Sequence, residues 1–312
     1  MRLLRSTSVS QRFRERRAGG VRRARARGSA PRLRRRTDQR LPENGRRRHD
    51  GAMSLPRTAA ALAALPSLAL LVASARPETL PSSASADLPR AFVDGAGWTE
   101  LSLDDFVNVN GDDTTWREEE GVIACTGKPI GGARTEDTYG NFEMVLEWRH
   151  STHAGNSGVF LWCPESAFTD LEPGQLPRSG IEVQVLDLGY EENWEKNKGV
   201  PSNWFTSHGD VFPVGASKMT AFTPEITYGR ASGSYVVGKP QSARSFPSRR
   251  LTREAGQWNH YYIRAINGEV RLWVNGEEVN GGRDCSPAEG YLALEAEGAE
   301  VSFRNIRVRR LP

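Results

Sequence analysis

SGIEVQVLDLGY, residues 179–190, alternates in character: Ile181, Val183 and Val185 fall on one side of an extended chain, Glu182 and Gln184 on the other. Side chains two residues apart share a face of a strand, so the stretch reads as a β-strand with one apolar side laid on a core. Asp187 comes where the alternation breaks, and a β-bulge after Val185 would return it to the face of Glu182 and Gln184. A solvated outer face is the ordinary explanation of such a polar row. A row lining a groove is the other, and spacing alone leaves both open.

Outward from this strand the pattern repeats. GVIAC (121–125), NFEMVLEWRH (141–150), SGVFLW (157–162), WNHYYIRAI (258–266), EVRLWVNGEEV (269–279), YLALEAE (291–297) and EVSFRNIRV (300–308) are strand-length runs bounded by turn residues. Asn267-Gly268 and Asn275-Gly276 stand between such runs, and both residues of each pair tolerate the positive φ of a type I′ turn, a strong hairpin signal. No amphipathic helical period exceeds a couple of turns. The expected fold is all-β, an antiparallel jelly-roll β-sandwich with one interruption. Residues 188–257 set Trp194, Trp204, Phe205, His208, Phe212, Met219, Phe222 and Tyr228 among Gly and Pro, which predicts a long aromatic-rich loop insertion. So many aromatics argue for a functional loop rather than a disordered one.

Charge divides the chain. The net charge is +4, yet residues 1–52 carry 18 Arg against four acids, a local balance of +14 that leaves −10 on the remainder. The Arg-rich opening has no apolar period that could build a core and is expected to be disordered, an upstream mistranslation with Met53 as the true start. From Met53, MSLPRTAAALAALPSLALLVASA has the one Arg, the short apolar run and the small Ala73-Ser74-Ala75 end of a secretory signal peptide. The expected organisation is therefore 1–52 extraneous, 53–75 export signal, 76–90 linker and 91–312 one β-rich domain, periplasmic or secreted. No stable membrane span is expected in the mature chain, and no nucleic-acid partner. Cys125, Cys163 and Cys285 are odd in number, so export permits one disulfide with no pairing specified.

The chemistry candidates cluster near the opening strand. Glycan chemistry needs two polar groups flanking a bond, one to take a proton and one to give one, and Glu182, Gln184 and Asp187 would supply them from a concave sheet. Trp204 and the aromatics around it offer rings on which sugar C–H faces stack. Asn156 and Ser157, in HAGNSGVFLW (153–162), would lie at the mouth of a strand, or cap a turn there. His208, beside Gly209 and Asp210, is a weaker candidate, since a lone loop histidine is more often simply satisfied. A divalent cation on His208, Asp210 and a carboxylate has no recognisable ligand spacing behind it and stays open. No other cofactor is called for. Glu295 and Arg304 are polar exceptions on framework strands that would either pair or face the groove. There is no G-x-S-x-G elbow, P-loop or dinucleotide fingerprint, which removes serine-hydrolase, nucleotide and NAD chemistries.

Taken in order, WTELSLDDF (98–106), GNFEMVLEW (140–148), GNSGVFL (155–161), GIEVQVLD (180–187), GQWNH (256–260), LWVNGE (272–277), GYLALEAEG (290–298) and FRNI (303–306) resemble the 3-keto-disaccharide hydrolase family, with its concanavalin-like jelly roll. The resemblance spans residues 91–312 and implies an exported bacterial hydrolase whose carbohydrate substrates are glycosides oxidised at C3. It departs at Trp162, where many members have Arg, and at HGDVFPVGASKM (208–219), which replaces a Gly-Ala-Ile-Tyr type loop. A C3 ketone acidifies the C2 proton, so a carboxylate could remove it and the C1 substituent could leave by elimination, water adding later. The roles implied are Glu182 or Asp187 as base, His208 as acid, and Gln184, Asn156 or Arg304 as groups orienting the sugar, with Ser157, Trp162 and Trp204 as further contacts. A laminarinase-type glucanase, which has acids at the same spacing where this chain has Gln184 and Asp187, and a non-catalytic lectin-like module are the alternatives.

Overall fold

The computed structural model describes residues 94–238 and 242–312. The Arg-rich opening, the export signal and the linker of residues 76–90 lie outside the described residues. The described chain begins with β1 (Trp98–Glu100), β2 (Phe106–Val109), β3 (Trp116–Glu119), β4 (Val122–Cys125), β5 (Gly131–Tyr139) and β6 (Phe142–His150). β7 (Asn156–Cys163) and β8 (Ser179–Leu186) follow, then the helix α1 (Gly189–Lys198). After it come β9 (Val211–Gly215), β10 (Lys218–Ala221), β11 (Ile226–Arg230) and β12 (Gly233–Val237). β13 (Asn259–Ile266), β14 (Glu269–Val274), β15 (Glu277–Ser286), β16 (Gly290–Ala296) and β17 (Val301–Arg310) complete it.

Two antiparallel sheets face each other as a jelly-roll sandwich. One runs β10-β15-β14-β13-β6-β17-β4-β3, with β1 added against β17; the other runs β2-β5-β16-β7-β8-β9. The predicted hairpins form: Asn267 and Gly268 (φ 51° and 74°) join β13 to β14, and Asn275 and Gly276 (φ 50° and 96°) join β14 to β15. The core between the sheets takes Ile181, Val183 and Val185 from β8, Leu292 and Leu294 from β16, and Met144, Leu146, Trp148, Tyr261 and Ile263 from the facing sheet. Each buried aliphatic or aromatic side chain of this kind stabilises the fold by roughly 1.5–3 kcal/mol, which is why the alternation of β8 has only one workable register.

Residues 188–257 do not form the single long loop that composition suggests. They hold α1 and four strands, two of which extend the sandwich: β9 pairs with β8, Glu182 opposite Phe212, and β10 pairs with β15. Pro213 sits in β9, an edge strand, where its missing N–H is tolerated. α1 has a mostly polar sequence, and ten residues alone would be marginal in water. Asp187 Oδ1 accepts the Gly189 N–H at 2.9 Å, and Gly199 ends the helix in the left-handed conformation (φ 73°). Trp194 of α1 then packs on Trp204 and Phe205.

The three cysteines are free and buried rather than bridged, and burial pushes the Cys125 and Cys285 thiols up to about 12. Among the described residues no helix is long and apolar enough to cross a membrane.

Candidate active site

The polar face of β8 is neither solvated nor bulged. Its register with β7 runs unbroken from Ile181 opposite Leu161 to Leu186 opposite Asn156, and Glu182 and Gln184 are each only 7% exposed. β7 places Gly158 opposite Gln184 and between β8 and β16, and its missing side chain leaves a gap in the sheet surface. Two carboxylates fill that gap. A Cβ on Gly158 would stand 2.5 Å from Glu295 Oε2 and 2.9 Å from Glu182 Oε1. Beside them a chain of hydrogen bonds crosses the face. Asn156 Nδ2 donates to Glu297 Oε2 (2.5 Å), Gln184 Nε2 donates to Asn156 Oδ1 (3.0 Å), and Arg244 Nη1 donates to Gln184 Oε1 (3.4 Å) and Asp210 Oδ2 (3.0 Å). Asp210 is held in turn by the Thr206 backbone N–H (2.8 Å) and hydroxyl.

Burial sets the electrostatics. Desolvation pushes the Glu182 carboxyl up to about 8, with Glu297 and Asp210 adding repulsion and only Arg244 opposing. Glu295 is raised well above the ordinary carboxylate range by burial and by its neighbours Glu182 and Glu297, and its Oε2 has no hydrogen-bond partner. Half-buried Glu297 rises to about 6, restrained by the Asn156 hydrogen bond, and buried Asp210 also reaches about 6 against the pull of Arg244. Buried carboxyl groups left without full compensation and gathered in one place mark a candidate site for proton transfer.

Arg244 and Trp204 cover this face. The Arg244 guanidinium lies 3.5 Å from the Phe212 ring centre and 5.8 Å from that of Trp204. Both residues line two adjoining clefts. One, of about 350 Å³, is bounded by Asn156, Gln184 and the Tyr190, Trp194, Asn193 and Asn197 face of α1; the other, of about 260 Å³, reaches Phe212 and Pro213.

The opposite face of α1 borders a different cleft of about 400 Å³, where Glu191, Glu195, His208, Arg230 and Arg250 meet. His208 is there, away from Glu182: its Nε2 lies 3.5 Å from Glu191 Oε2 and its Nδ1 accepts the Thr252 N–H at 3.2 Å. Burial holds the His208 ring below its usual pKa. Asp187 is also away from the groove face. Its Oδ1 accepts the Ala154 N–H (2.6 Å) and the Gly189 N–H, so it braces the turn before β7 and the start of α1. Ser157 points inward and donates to the Glu295 carbonyl (2.9 Å). Trp162 is wholly buried, donating from Nε1 to the Gly140 carbonyl (2.8 Å) against Phe142. Arg304 belongs to the other sheet, where it pairs with Glu147 (2.5 Å) and stacks on Trp258. Of the residues expected at the site, the groove face thus gathers Glu182, Gln184, Asn156 and Trp204.

Sequence reasoning left the role of Glu295 open, missed Glu297, Gly158 and Arg244, and named Asp210 only as a ligand of a candidate cation beside His208. The signal for the first two was present: in YLALEAE, Leu292, Leu294 and Ala296 alternate with Ala293, Glu295 and Glu297, as in β8. Arg244 and Asp210 are loop residues with no periodicity to reveal them. Among the described residues no three His, Cys, Asp or Glu side chains are disposed as ligands of one metal ion.

The model of the 3-keto-alpha-glucoside-1,2-lyase-like domain family matches residues 90–309, well over half of the chain. The chain belongs to this family. Membership makes the fold a carbohydrate-active, glycosyl-hydrolase-like one. No curated protein matches the chain. Among solved structures, a candidate glycosyl hydrolase from Parabacteroides distasonis ATCC 8503 is 20% identical, covering 69% of this chain and 94% of its own, with a TM-score of 0.44. A carbohydrate-binding module, CBM66, from Bacillus subtilis is 11% identical over 69% of this chain and 96% of its own (TM-score 0.41). A prokaryotic β-1,3-1,4-glucanase (lichenase) from a mouse hindgut metagenome is 12% identical over 70% and 95% (TM-score 0.34). Likenesses at these scores carry no conclusion about activity.

Proposed function

We propose that the β7–β8–β16 groove cleaves glycosides oxidised at C3, by elimination across C1 and C2 followed by hydration. The observation that carries this reading is the meeting of buried Glu182 and Glu295 over Gly158, with half-buried Glu297 alongside: carboxyl groups with separated proton affinities. Groups whose surroundings push their pKa values apart divide into acid and base. Near neutral pH Glu297, at about 6, is ionised and Glu182, at about 8, is protonated. Glu297 takes the C2 proton, which the C3 ketone has acidified, and the C2–H electron pair becomes an enolate. The enolate collapses to a C1=C2 double bond as the C1–O bond breaks, and Glu182 protonates the departing oxygen. Water then adds at C1 and a proton returns to C2, for net hydrolysis. Arg244 supplies the positive charge near the enolate oxygen, and Asn156 and Gln184, held by their mutual hydrogen bond, position the ring. His208 and Asp187 take no part. The apolar stretch 53–75 supports an exported enzyme.

The test is incubation of the full chain with a 3-keto-glucoside and its unoxidised parent, with aglycone release followed by chromatography. Cleavage of the keto sugar alone is the expected result. Cleavage of the parent would establish a glucanase-type hydrolase instead, and saturable binding without cleavage of either would establish a lectin-like module.

A further inference from the structure

Resting on the reading of the carboxylate groove as the place of bond cleavage, we propose that the adjoining aromatic cleft receives the leaving group, and that this group is a flat aryl ring rather than a second sugar. The cleft begins at Asn156 and Gln184, the residues bonded to Glu297 and next but one to Glu182 on β8, so whatever departs from C1 enters it directly.

Its walls are rings at steep angles to one another. Trp204 and Phe205 stand 4.8 Å apart at 69°, Trp194 and Phe205 5.6 Å apart at 85°, and Tyr190 and Phe205 6.5 Å apart at 87°. An aryl guest entering beside such a set can stack on the open surface of Trp204 or Tyr190 and meet a neighbouring ring edge-to-face. Trp204 and Tyr190 are also left 38% and 37% exposed, two of the four large apolar side chains so exposed among the described residues. Apolar surface kept open at a concave place marks a ligand surface.

The polar inventory argues against a sugar in the same space. Asn156, Gln184 and Arg244 are bound to one another and to Glu297 and Asp210, and in the catalytic reading they serve the keto sugar ring rather than the leaving group. That leaves mainly Asn193 and Asn197, on the exposed face of α1, and the Tyr190 hydroxyl to meet the several hydroxyls of a second pyranose. Hydroxyls that lose water without gaining partners weaken binding severely, whereas an aryl ring asks for none. The room suffices: about 350 Å³, where an apolar cavity of roughly 150 Å³ already holds benzene.

The experiment measures kcat/KM of the full chain on phenyl 3-keto-glucoside and on a 3-keto-glucosyl-glucose, for the native protein, Trp204→Ala and Trp204→Phe. Loss of one stacking ring is expected to lower the aryl-to-disaccharide ratio roughly tenfold in Trp204→Ala, with the ratio in Trp204→Phe within about threefold of native. An unchanged ratio, or a greater loss on the disaccharide, overturns the proposal. Titration of unoxidised phenyl glucoside and of cellobiose, read by quenching of tryptophan fluorescence, separates this proposal from the catalytic reading. If the native protein cleaves neither keto sugar, the catalytic reading fails. The cleft is still upheld by quenching with the phenyl compound alone that weakens about tenfold in Trp204→Ala, and is overturned by quenching with both sugars, with neither, or undiminished in the variant.

Discussion

On one side of α1, Glu191 meets His208 and the Arg250 guanidinium, Glu195 meets Arg230, and each acid has a cation against it. On the other side, of Glu182, Glu295 and Glu297 only Glu182 feels an Arg, Arg244, and that Arg is already engaged by Asp210. Burial alone would push Glu191 up, yet the nearby His208 ring and the hydrogen bonds from Arg250 bring it below the ordinary carboxylate range, while the groove carboxyls are left raised. The same residue types thus build a brace in one cleft and a set of uncompensated carboxyl groups with raised pKa in the other. Compensation, rather than the number of acids or the presence of a histidine, distinguishes them.

The largest effect that would break this contrast is on turnover. Glu182→Gln should lower kcat on a 3-keto-glucoside by roughly 10³-fold with the fold intact by circular dichroism, as expected for loss of a proton-transfer group. Native-like turnover in that variant ends the assignment. The pH profile sharpens it: activity should rise through about 6 as Glu297 ionises and fall above about 8 as Glu182 loses its proton. Glu297→Gln should abolish the lower limb.

Gly158→Ala comes next. Its methyl would sit 2.5 Å from Glu295 Oε2, so the carboxylates must swing aside, and displacement on the order of 1 Å costs roughly 10²-fold in kcat/KM. Full activity there would mean that the carboxyl pairing over β7 is incidental.

Stability is affected less. Asp187→Ala strips a buried acceptor from the Ala154 and Gly189 N–H groups and should cost roughly 1–3 kcal/mol in chemical denaturation. Glu182→Gln should do the reverse. The folded protein holds the Glu182 proton to about 8, above the unfolded value of 4.5, so its contribution to stability is full at low pH and lost as pH rises through that window. The variant, neutral throughout, should gain roughly 3 °C or more in Tm over the native protein at pH 8, with the gap closing toward pH 5. The smallest effect belongs to the braced cleft. Glu191→Gln should change kcat by no more than about threefold, in line with a residue outside the reacting set; a loss comparable to that of Glu182→Gln would move the chemistry across α1.

What was legible in the residues was whatever repeats at the period of a strand. The apolar row of β8, the hairpins at Asn267-Gly268 and Asn275-Gly276, the sandwich class and the shared face of Glu182 and Gln184 all follow from local geometry, because side-chain direction along a strand is set every second residue. Asp187 misled for the same reason. Its spacing fitted a bulge, whereas the strand simply ends at Leu186 and backbone N–H groups claim the carboxylate. Helix α1 and strands β9 to β12 were read as loop because their cohesion comes from Trp204 and Phe205, from the edges of the sheets for β9 and β10, and from the Tyr228, Val237 and Phe246 cluster for β11 and β12, none of which a local period encodes.

The sequence by itself therefore determined the architecture and one face of one strand. Only the tertiary structure decided which acids meet: Glu182 and Glu295 are more than a hundred residues apart and become neighbours because β7 lies between their strands and carries glycine there. Only packing, likewise, assigned His208 to the far side of α1 and Arg244 to the groove. Burial and charge compensation are properties of the assembled neighbourhood, and no single stretch of chain contains them.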